Sequence, residues 1–317
     1  MHNETTKALY EFYELEDKND FFPAYLYLKY IQHFIYYVVK SLGIPTKELP
    51  YELGEGLDEM IGAYYQQIAD AGNSAETSVY NAKVVKLQDA IKLFTQKHDI
   101  NIPVSETVVP FKQAKHIIMN NPESVSVGTC PCRMVSQVPC LEEPMEVCLF
   151  VGDPFAAFLR DQNQKFRKSS QEEAVKILED CHQRGLVHTA WFKKDLGNSF
   201  AMICNCCECC CLGIRMWNLL DGTVPILAPS GYVAEVNEAC IACGICIEEK
   251  ACHFHAISLE EGEEKAEIDF DKCMGCGVCE NVCPEGAIHL RREPSKGDPL
   301  DIEVLKEQQK KGSPRAL

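Results

Sequence analysis

The sequence predicts an α+β chain in three parts: a mainly helical N-terminal region, an α/β cysteine-rich middle domain, and a small C-terminal unit built on a cysteine repeat. Three observations carry this. Early in the chain, Lys29, Gln32, His33, Tyr36 and Lys40 recur at three- and four-residue steps, leaving a wide apolar helix face. Helix signals and strand signals alternate between 108 and 230. From Cys240 to Cys283, cysteines recur in two similar runs. These shifts place the boundaries at 1–107, 108–230, 231–291 and a loosely ordered tail, 292–317.

The totals bound the class. With 317 residues, 46% hydrophobic and 25% charged, the chain has the composition of a soluble globular protein of about two domains. The net charge of −16 opposes nucleic-acid binding, whose affinity comes from neutralising phosphates. It favours a partner with a basic docking surface. The 19 cysteines are the extreme number. The opening MHNETTKALYEFYELEDKND has no apolar signal-peptide core. Thiols held by metal in a reducing cytoplasm, as in an anaerobe, are therefore expected rather than disulfides.

Taken in order, residues 1–20 read as a polar, partly helical lead-in. Residues 21–40, FFPAYLYLKYIQHFIYYVVK, are long enough to raise a membrane question. Pro23, Lys29, Gln32, His33 and Lys40 argue against a span, and the polar positions form a stripe. The segment reads as a core helix or a homo-oligomer interface. Two more helices are expected over 56–72 and 76–99, with Asn73-Ser74 between them. Residues 100–110 read as extended and 111–120 as a short helix. Val125 and Val127 alternate in a strand running into the loop of Cys130.

Residues 170–184 form a helix. Ser170 is the N-cap, Glu173 completes a capping box, and Gly185 ends it. GLVHTAWF and SFAMICNC then read as a hairpin turning at Gly197-Asn198. Helix plus hairpin is a winged-helix-like outline, taken as architecture because the charge opposes DNA binding. In the tail, 300–310 can form a short helix.

The repeat at the C-terminus carries the chemistry. Cys273, Cys276, Cys279, Cys283 and Pro284 read C-x2-C-x2-C-x3-C-P. Cys240, Cys243, Cys246 and Cys252 read C-x2-C-x2-C-x5-C. Ala256-Ile257 and Ala287-Ile288 each begin four residues after the fourth cysteine, so the halves align. Gly244, Gly275 and Gly277 let the backbone approach closely. The stretch resembles the two-[4Fe-4S] bacterial ferredoxins and proteins with a 4Fe-4S dicluster domain. That resemblance implies a ferredoxin-like fold and two [4Fe-4S] clusters. It implies Cys240, Cys243, Cys246 and Cys283 as ligands of one, and Cys273, Cys276, Cys279 and Cys252 as ligands of the other. The first half departs from the pattern by two extra residues and by His253 where the second half has Pro284. His253 and His255 either tune a cluster or pack the loop.

A second cysteine system lies upstream. It comprises Cys130, Cys132, Cys140 and Cys148, then Cys204, Cys206, Cys207, Cys209, Cys210 and Cys211. Crowded thiolates repel unless a metal neutralises them. A further iron–sulfur centre, another metal site such as zinc, and a thiol/disulfide exchange site are the readings for a subset of these. Arg133 either holds a thiolate or anion or is ion-paired, and His188 either approaches the site or is structural. Cys181 reads as a buried helix residue. The pattern C-x-C-R, GLVH, CNCCxCCC ahead of the repeat is similar to that of poorly characterised iron–sulfur proteins from anaerobes.

Three functions follow as expectations. The first is electron transfer through two [4Fe-4S] clusters to or from a redox partner, with the upstream cysteines as an optional further centre. The second is a reductase or reductive activator reacting at Cys130–Cys148 and Cys204–Cys211. The third is a redox-sensing regulator.

Overall fold

The structure is a computed structural model and describes residues 3–49, 53, 56–63, 80–111, 114, 116–137, 145–223, 226–249 and 251–311. Cys140, the Asn73-Ser74 turn and the second half of the helix expected over 56–72 lie outside the described residues.

The scaffold is an eight-stranded sheet in the order β2-β3-β4-β7-β6-β1-β8, with β5 pairing β3. Its strands are β1 Tyr80–Val85, β2 Ile100–Pro103, β3 His116–Thr129, β4 Glu146–Asp153, β5 Phe166–Ser169, β6 Val187–Lys193, β7 Ser199–Cys206 and β8 Leu227–Ala228. One face carries Phe150, Val187, Trp191, Met202 and Cys206. It is covered by α1 Glu4–Leu15, α2 Phe21–Lys29 and α3 Ile31–Ser41, and by a helix of the middle domain, Phe155–Gln162. The other face carries Leu149, Val151, Ala190, Phe192 and Ile203. Helices Leu87–Phe94, Gln171–Gln183 and Ile302–Lys310 cover that side.

Several expectations change here. The apolar stretch 21–40 is two helices, broken at Tyr30 (φ −125°, ψ 33°). Each packs on different elements: α2 lies on Lys194–Leu196, and α3 on the short helix Pro131–Val135. Ala24, Leu26, Tyr27, Leu28, Ile31, Phe34 and Ile35 are buried in the chain's own core, which accounts for their apolar character. No helix among the described residues is long and apolar enough to cross a membrane.

The helix expected over 76–99 is β1 followed by a helix from Leu87. β1 lies between β6 and β8, so Ala82, Val84 and Val85 are worth more in the sheet than in a helix. The short helix expected over 111–120 is instead the start of β3. Ile117 and Met119 are buried with a polar or half-exposed residue between them, and the segment pairs with β2. Strands β1 and β2 thus join the helical N-terminal region to the sheet of the middle domain.

The helix and hairpin of the middle domain are present. Ser170 caps Gln171–Gln183 by accepting from the Glu173 N–H at 3.1 Å. β6 and β7 pair through Val187↔Cys206 and His188↔Asn205, turning at Gly197 and Asn198, both with positive φ. Both strands lie inside the larger sheet, so the hairpin is not a free wing.

The C-terminal unit repeats one pattern twice. β9 Tyr232–Val236 leads to the turn of helix Ile245–Glu248 and β10 Ile257–Ser258. β11 Glu267–Ile268 leads to helix Val278–Val282 and β12 Ile288–Arg292. The outer strands pair antiparallel, as do the inner ones. This mixed α/β chain thus has a helical N-terminus and a ferredoxin-like C-terminal unit. Beyond β12 the chain does not hang loose up to Lys311. Leu300 and Ile302 are buried, Asp301 pairs with Lys92, and Glu303 accepts from Gln96.

Candidate metal centres

In the C-terminal unit the two short helices turn eight cysteines toward two cavities. Cys240, Cys243, Cys246 and Cys283 line the first, together with Leu259, Ala266 and Ile288. Cys252, Cys273, Cys276 and Cys279 line the second, together with Phe254, Ile268 and Leu290. The two differ in depth. Cys243 is exposed beside Ile241, which is 64% exposed, whereas Cys273, Cys276 and Cys279 are buried.

Equivalent backbone N–H groups serve the two halves. Ala256 donates to Cys252 Sγ at 3.2 Å and Ala287 to Cys283 Sγ at 3.3 Å. Ala234 adds a donor to Cys273 Sγ at 3.4 Å. Gly275, at φ +64°, passes so close to the strand that a Cβ there would lie 2.3 Å from Tyr232 O. Burial pushes the Cys276 thiol up to about 12 and raises Cys252 and Cys279 as well. Such thiols stay protonated until a cation displaces the proton. Four soft donors per cavity, apolar walls and N–H groups aimed at sulfur suit a cluster of iron and inorganic sulfide.

The upstream cysteines gather into two groups, joined at one point by a contact between the Cys130 and Cys132 thiols. The first lies on the face covered by the N-terminal helices. Cys148 on β4 stands in register with Cys204 on β7, and Cys206 follows on the same face. Each thiol contacts the next: Cys204 with Cys148, Cys206 with Cys204, and Cys211 with Cys206. For each of Cys204, Cys206 and Cys211 the contact with the preceding thiol of the row is the first cause of a pKa well above the usual thiol range, and burial adds to it. Cys206 Sγ also lies 3.3 Å from Thr189 Oγ1. Buried Lys193 stands beside this row, its charge felt by Cys204, Cys132 and Cys148. It donates to Tyr27 OH and lies 4.8 Å from the Trp191 ring centroid. Lys193 carries no motif; alternation along β6 was the signal that could have found it, since it falls on the face of Thr189 and Trp191.

The second group lies past the end of β7 with Val147, Cys181 and Leu186. Cys207 and Cys209 have sulfurs 3.1 Å apart, and Cys209 and Cys210 3.3 Å apart. Among the described residues these three form the one group of three or more potential metal ligands whose atoms all lie within 4.8 Å of one another. Cys130 packs against the same cluster. Arg133, only 1% exposed, sits among Cys130, Cys207 and Cys210, whose negative charge raises its already high pKa despite burial. His188 is not part of either group. Its Nδ1 meets Asn205 Oδ1 at 2.6 Å, its ring stacks on His182, and burial, the main cause, lowers its pKa to about 4.

With this geometry in place, comparison with known proteins is decisive for the C-terminal unit. Residues 239–287 match the family model of the 4Fe-4S dicluster domain. That stretch is a 4Fe-4S dicluster domain. Similar stretches occur in the pyruvate synthase subunit PorD of Thermotoga maritima, 44% identical over 57 residues. That match covers 18% of this chain and 54% of the relative. A subunit of the ion-translocating oxidoreductase complex of Methanosarcina acetivorans is 48% identical over 59 residues, 19% of this chain and 20% of the relative. The indolepyruvate oxidoreductase subunit IorA of Pyrococcus horikoshii is 42% identical over 62 residues, 19% of this chain and 9% of the relative. The chain thus spans about half or less of the length of these relatives. No solved structure matches the chain.

The dicluster domain is fastened to the sheet on the side of its deeper cavity. Ser230 Oγ donates to Gly275 O at 2.6 Å, and Asn281 Nδ2 to His182 O at 3.2 Å. Phe254 meets Trp217 edge-on, with ring centroids 5.3 Å apart. His253, next to Cys252, bridges the seam. Its Nε2 lies 2.8 Å from Gly185 O, and its Nδ1 accepts from the Glu208 N–H at 3.4 Å. Those two contacts require the neutral Nε2–H tautomer. Glu208 in turn pairs with His255 at 3.0 Å. The irregular loop of the first half, with its two extra residues, is therefore the part that docks on the upstream cysteine loop. The histidine in the proline position was its signal in the sequence.

Proposed function

We propose that the chain is an iron–sulfur electron-transfer protein with two [4Fe-4S] clusters, passing single electrons between a redox partner and the sheet domain. On this reading Cys240, Cys243, Cys246 and Cys283 hold the outer cluster, and Cys252, Cys273, Cys276 and Cys279 the inner one. The observation that carries it is the partition of eight cysteines, four to a cavity, within a 4Fe-4S dicluster domain. Three compared relatives are named as oxidoreductase or synthase subunits, which supports a role beside a redox partner. When bound, each cluster supplies one-electron chemistry tuned by burial and hydrogen bonds to sulfur. The chain's own contribution is to fix that environment. The Ala256, Ala287 and Ala234 N–H groups stabilise negative charge on sulfur, and burial of Cys273, Cys276 and Cys279 shields the inner site from water.

The direction of traffic follows from depth. The outer site opens at Cys243 and is flanked by exposed Glu238, Glu248, Glu249 and Glu285. A partner with a basic surface docks there, and raising salt slows exchange with it. The inner site faces the sheet. The row Cys148, Cys204, Cys206 and Cys211 beside Lys193 is the seat of a further redox metal centre. The helix–hairpin unit serves as its scaffold.

Iron and sulfide analysis with EPR of the reduced chain tests this. Two interacting cluster signals are expected, with further iron that disappears in the Cys204→Ser/Cys206→Ser variant. A chain with a single cluster signal would overturn the two-cluster reading. Iron unchanged in that variant would remove the further centre.

A further inference from the structure

The group at the end of β7 is built differently from the dicluster quartets and from the Cys148–Cys211 row, in which each thiol meets only the next. Its three sulfurs all lie within 4.8 Å of one another, with Cys207–Cys209 at 3.1 Å and Cys209–Cys210 at 3.3 Å. Thiolates that close repel strongly in a dry site, and neutral thiols gain little there. One soft cation reverses this by binding all of them at once. Around a tetrahedral zinc ion with Zn–S near 2.3 Å, neighbouring sulfurs lie about 3.8 Å apart. The Cys207–Cys209 and Cys209–Cys210 spacings need about 0.5–0.7 Å of opening to reach that, and Cys130, which packs against the cluster, closes in as the fourth ligand. A cubane, by contrast, holds its thiolates on separate irons, farther apart than three sulfurs that all lie within 4.8 Å of one another.

The surroundings fit an anionic metal–thiolate centre. Four thiolates on a divalent ion leave a net charge of −2. Arg133 places a buried guanidinium, largely shielded from water, against Cys130, Cys207 and Cys210. Cys130 precedes the short helix Pro131–Val135, three residues before Arg133, and packs against the same cluster. The loop is also held from outside. The Cys211 N–H donates to Cys207 O at 3.0 Å, and the Glu208 N–H donates to His253. Val147, Cys181 and Leu186 close the apolar side.

We propose that Cys207, Cys209 and Cys210, with Cys130 as fourth ligand, bind one thiophilic divalent cation of the zinc class, with Arg133 as the compensating charge beside it. The site is separate from both dicluster cavities. Because iron and zinc are counted independently, it stands or falls apart from the electron-transfer reading.

The test uses the full chain with its iron–sulfur clusters loaded, prepared with zinc present. Metal analysis is expected to find one zinc per chain. The Cys207→Ser/Cys209→Ser/Cys210→Ser variant is expected to lose that zinc and keep its iron. Titration of zinc-stripped, cluster-loaded wild type with cobalt(II) serves even if the variant fails to fold. It should give intense thiolate-to-cobalt absorption saturating at one equivalent, with iron content constant, and Arg133→Ala should weaken cobalt binding at least tenfold. Zinc-free wild type that also shows no thiolate–cobalt absorption would overturn the proposal. So would loss of iron instead of zinc from the triple variant.

Discussion

The two cysteine systems differ in how near their sulfurs come to one another. In the dicluster domain, four cysteines stand back around each cavity, no three of their sulfurs within 4.8 Å of one another among the described residues. At the end of β7, three sulfurs close to within 4.8 Å of one another beside a buried arginine. The difference comes from the backbone. In the dicluster domain, left-handed glycines at 244 and 277 start short helices that spread three sulfurs around a hollow. In the upstream loop, the spacing Cys207-x-Cys209-Cys210 packs sulfurs into one turn. Cysteine density alone therefore does not define a site; the space left between the sulfurs selects what can sit there.

The largest effect expected from breaking this contrast is at the inner quartet. Cys276→Ser should remove about four irons per chain, the content of one cubane, and leave the metal at Cys207, Cys209 and Cys210 in place. Metal analysis checks this. Coordinated loss from both systems would mean that they are one centre.

Glycine substitutions sharpen the comparison within the dicluster domain. Gly275→Ala would place a Cβ 2.3 Å from Tyr232 O and 2.4 Å from Ser230 Oγ, in addition to the positive-φ penalty. Gly244→Ala meets nothing nearer than 4.0 Å and carries only the left-handed penalty, about 1–2 kcal/mol. Thermal melts followed by cluster absorbance should show Gly275→Ala clearly the more damaging. Equal effects would mean that the inner half is not pinned to the sheet as described.

His253→Ala cuts the seam between the systems. It removes the contacts to Gly185 O and from the Glu208 N–H, worth about 1–3 kcal/mol together. Hydrogen exchange over 207–211 should speed up, with both cluster signals retained.

The smallest effect on either site is expected from the sheet scaffold. Burial lowers the Lys83 pKa from its usual 10.5 to about 7, and its Nζ donates to Pro229 O at 2.8 Å. Between pH 7 and 10 the unfolded chain binds more protons at this position, so folded stability rises with pH across that window. Lys83→Met should flatten this rise in melts of the full chain while leaving metal content unchanged.

How much of this could be read from residues alone depended on the range of the interactions involved. The cysteine repeat and the Ser170-capped helix are set by local spacing, and they appear as expected. The strands at 80–85 and 116–120 carry ambiguous local signals, and distant partners in the sheet decide them. The same holds for the upstream cysteines. Cys204 and Cys206 are separated from Cys207 by the end of β7, which sends neighbours in sequence to different sites. The roles of Lys193 and Arg133 arise only when β6 and the Pro131–Val135 helix bring them against cysteines from elsewhere.

The central claim is that two separate cubanes are held by the eight dicluster cysteines alone. Quantitative EPR of the dithionite-reduced Cys204→Ser/Cys206→Ser/Cys207→Ser/Cys209→Ser/Cys210→Ser chain tests it most directly. The account predicts two magnetically coupled cluster signals and about eight irons, two cubanes of four. A single signal with about four irons would contradict it.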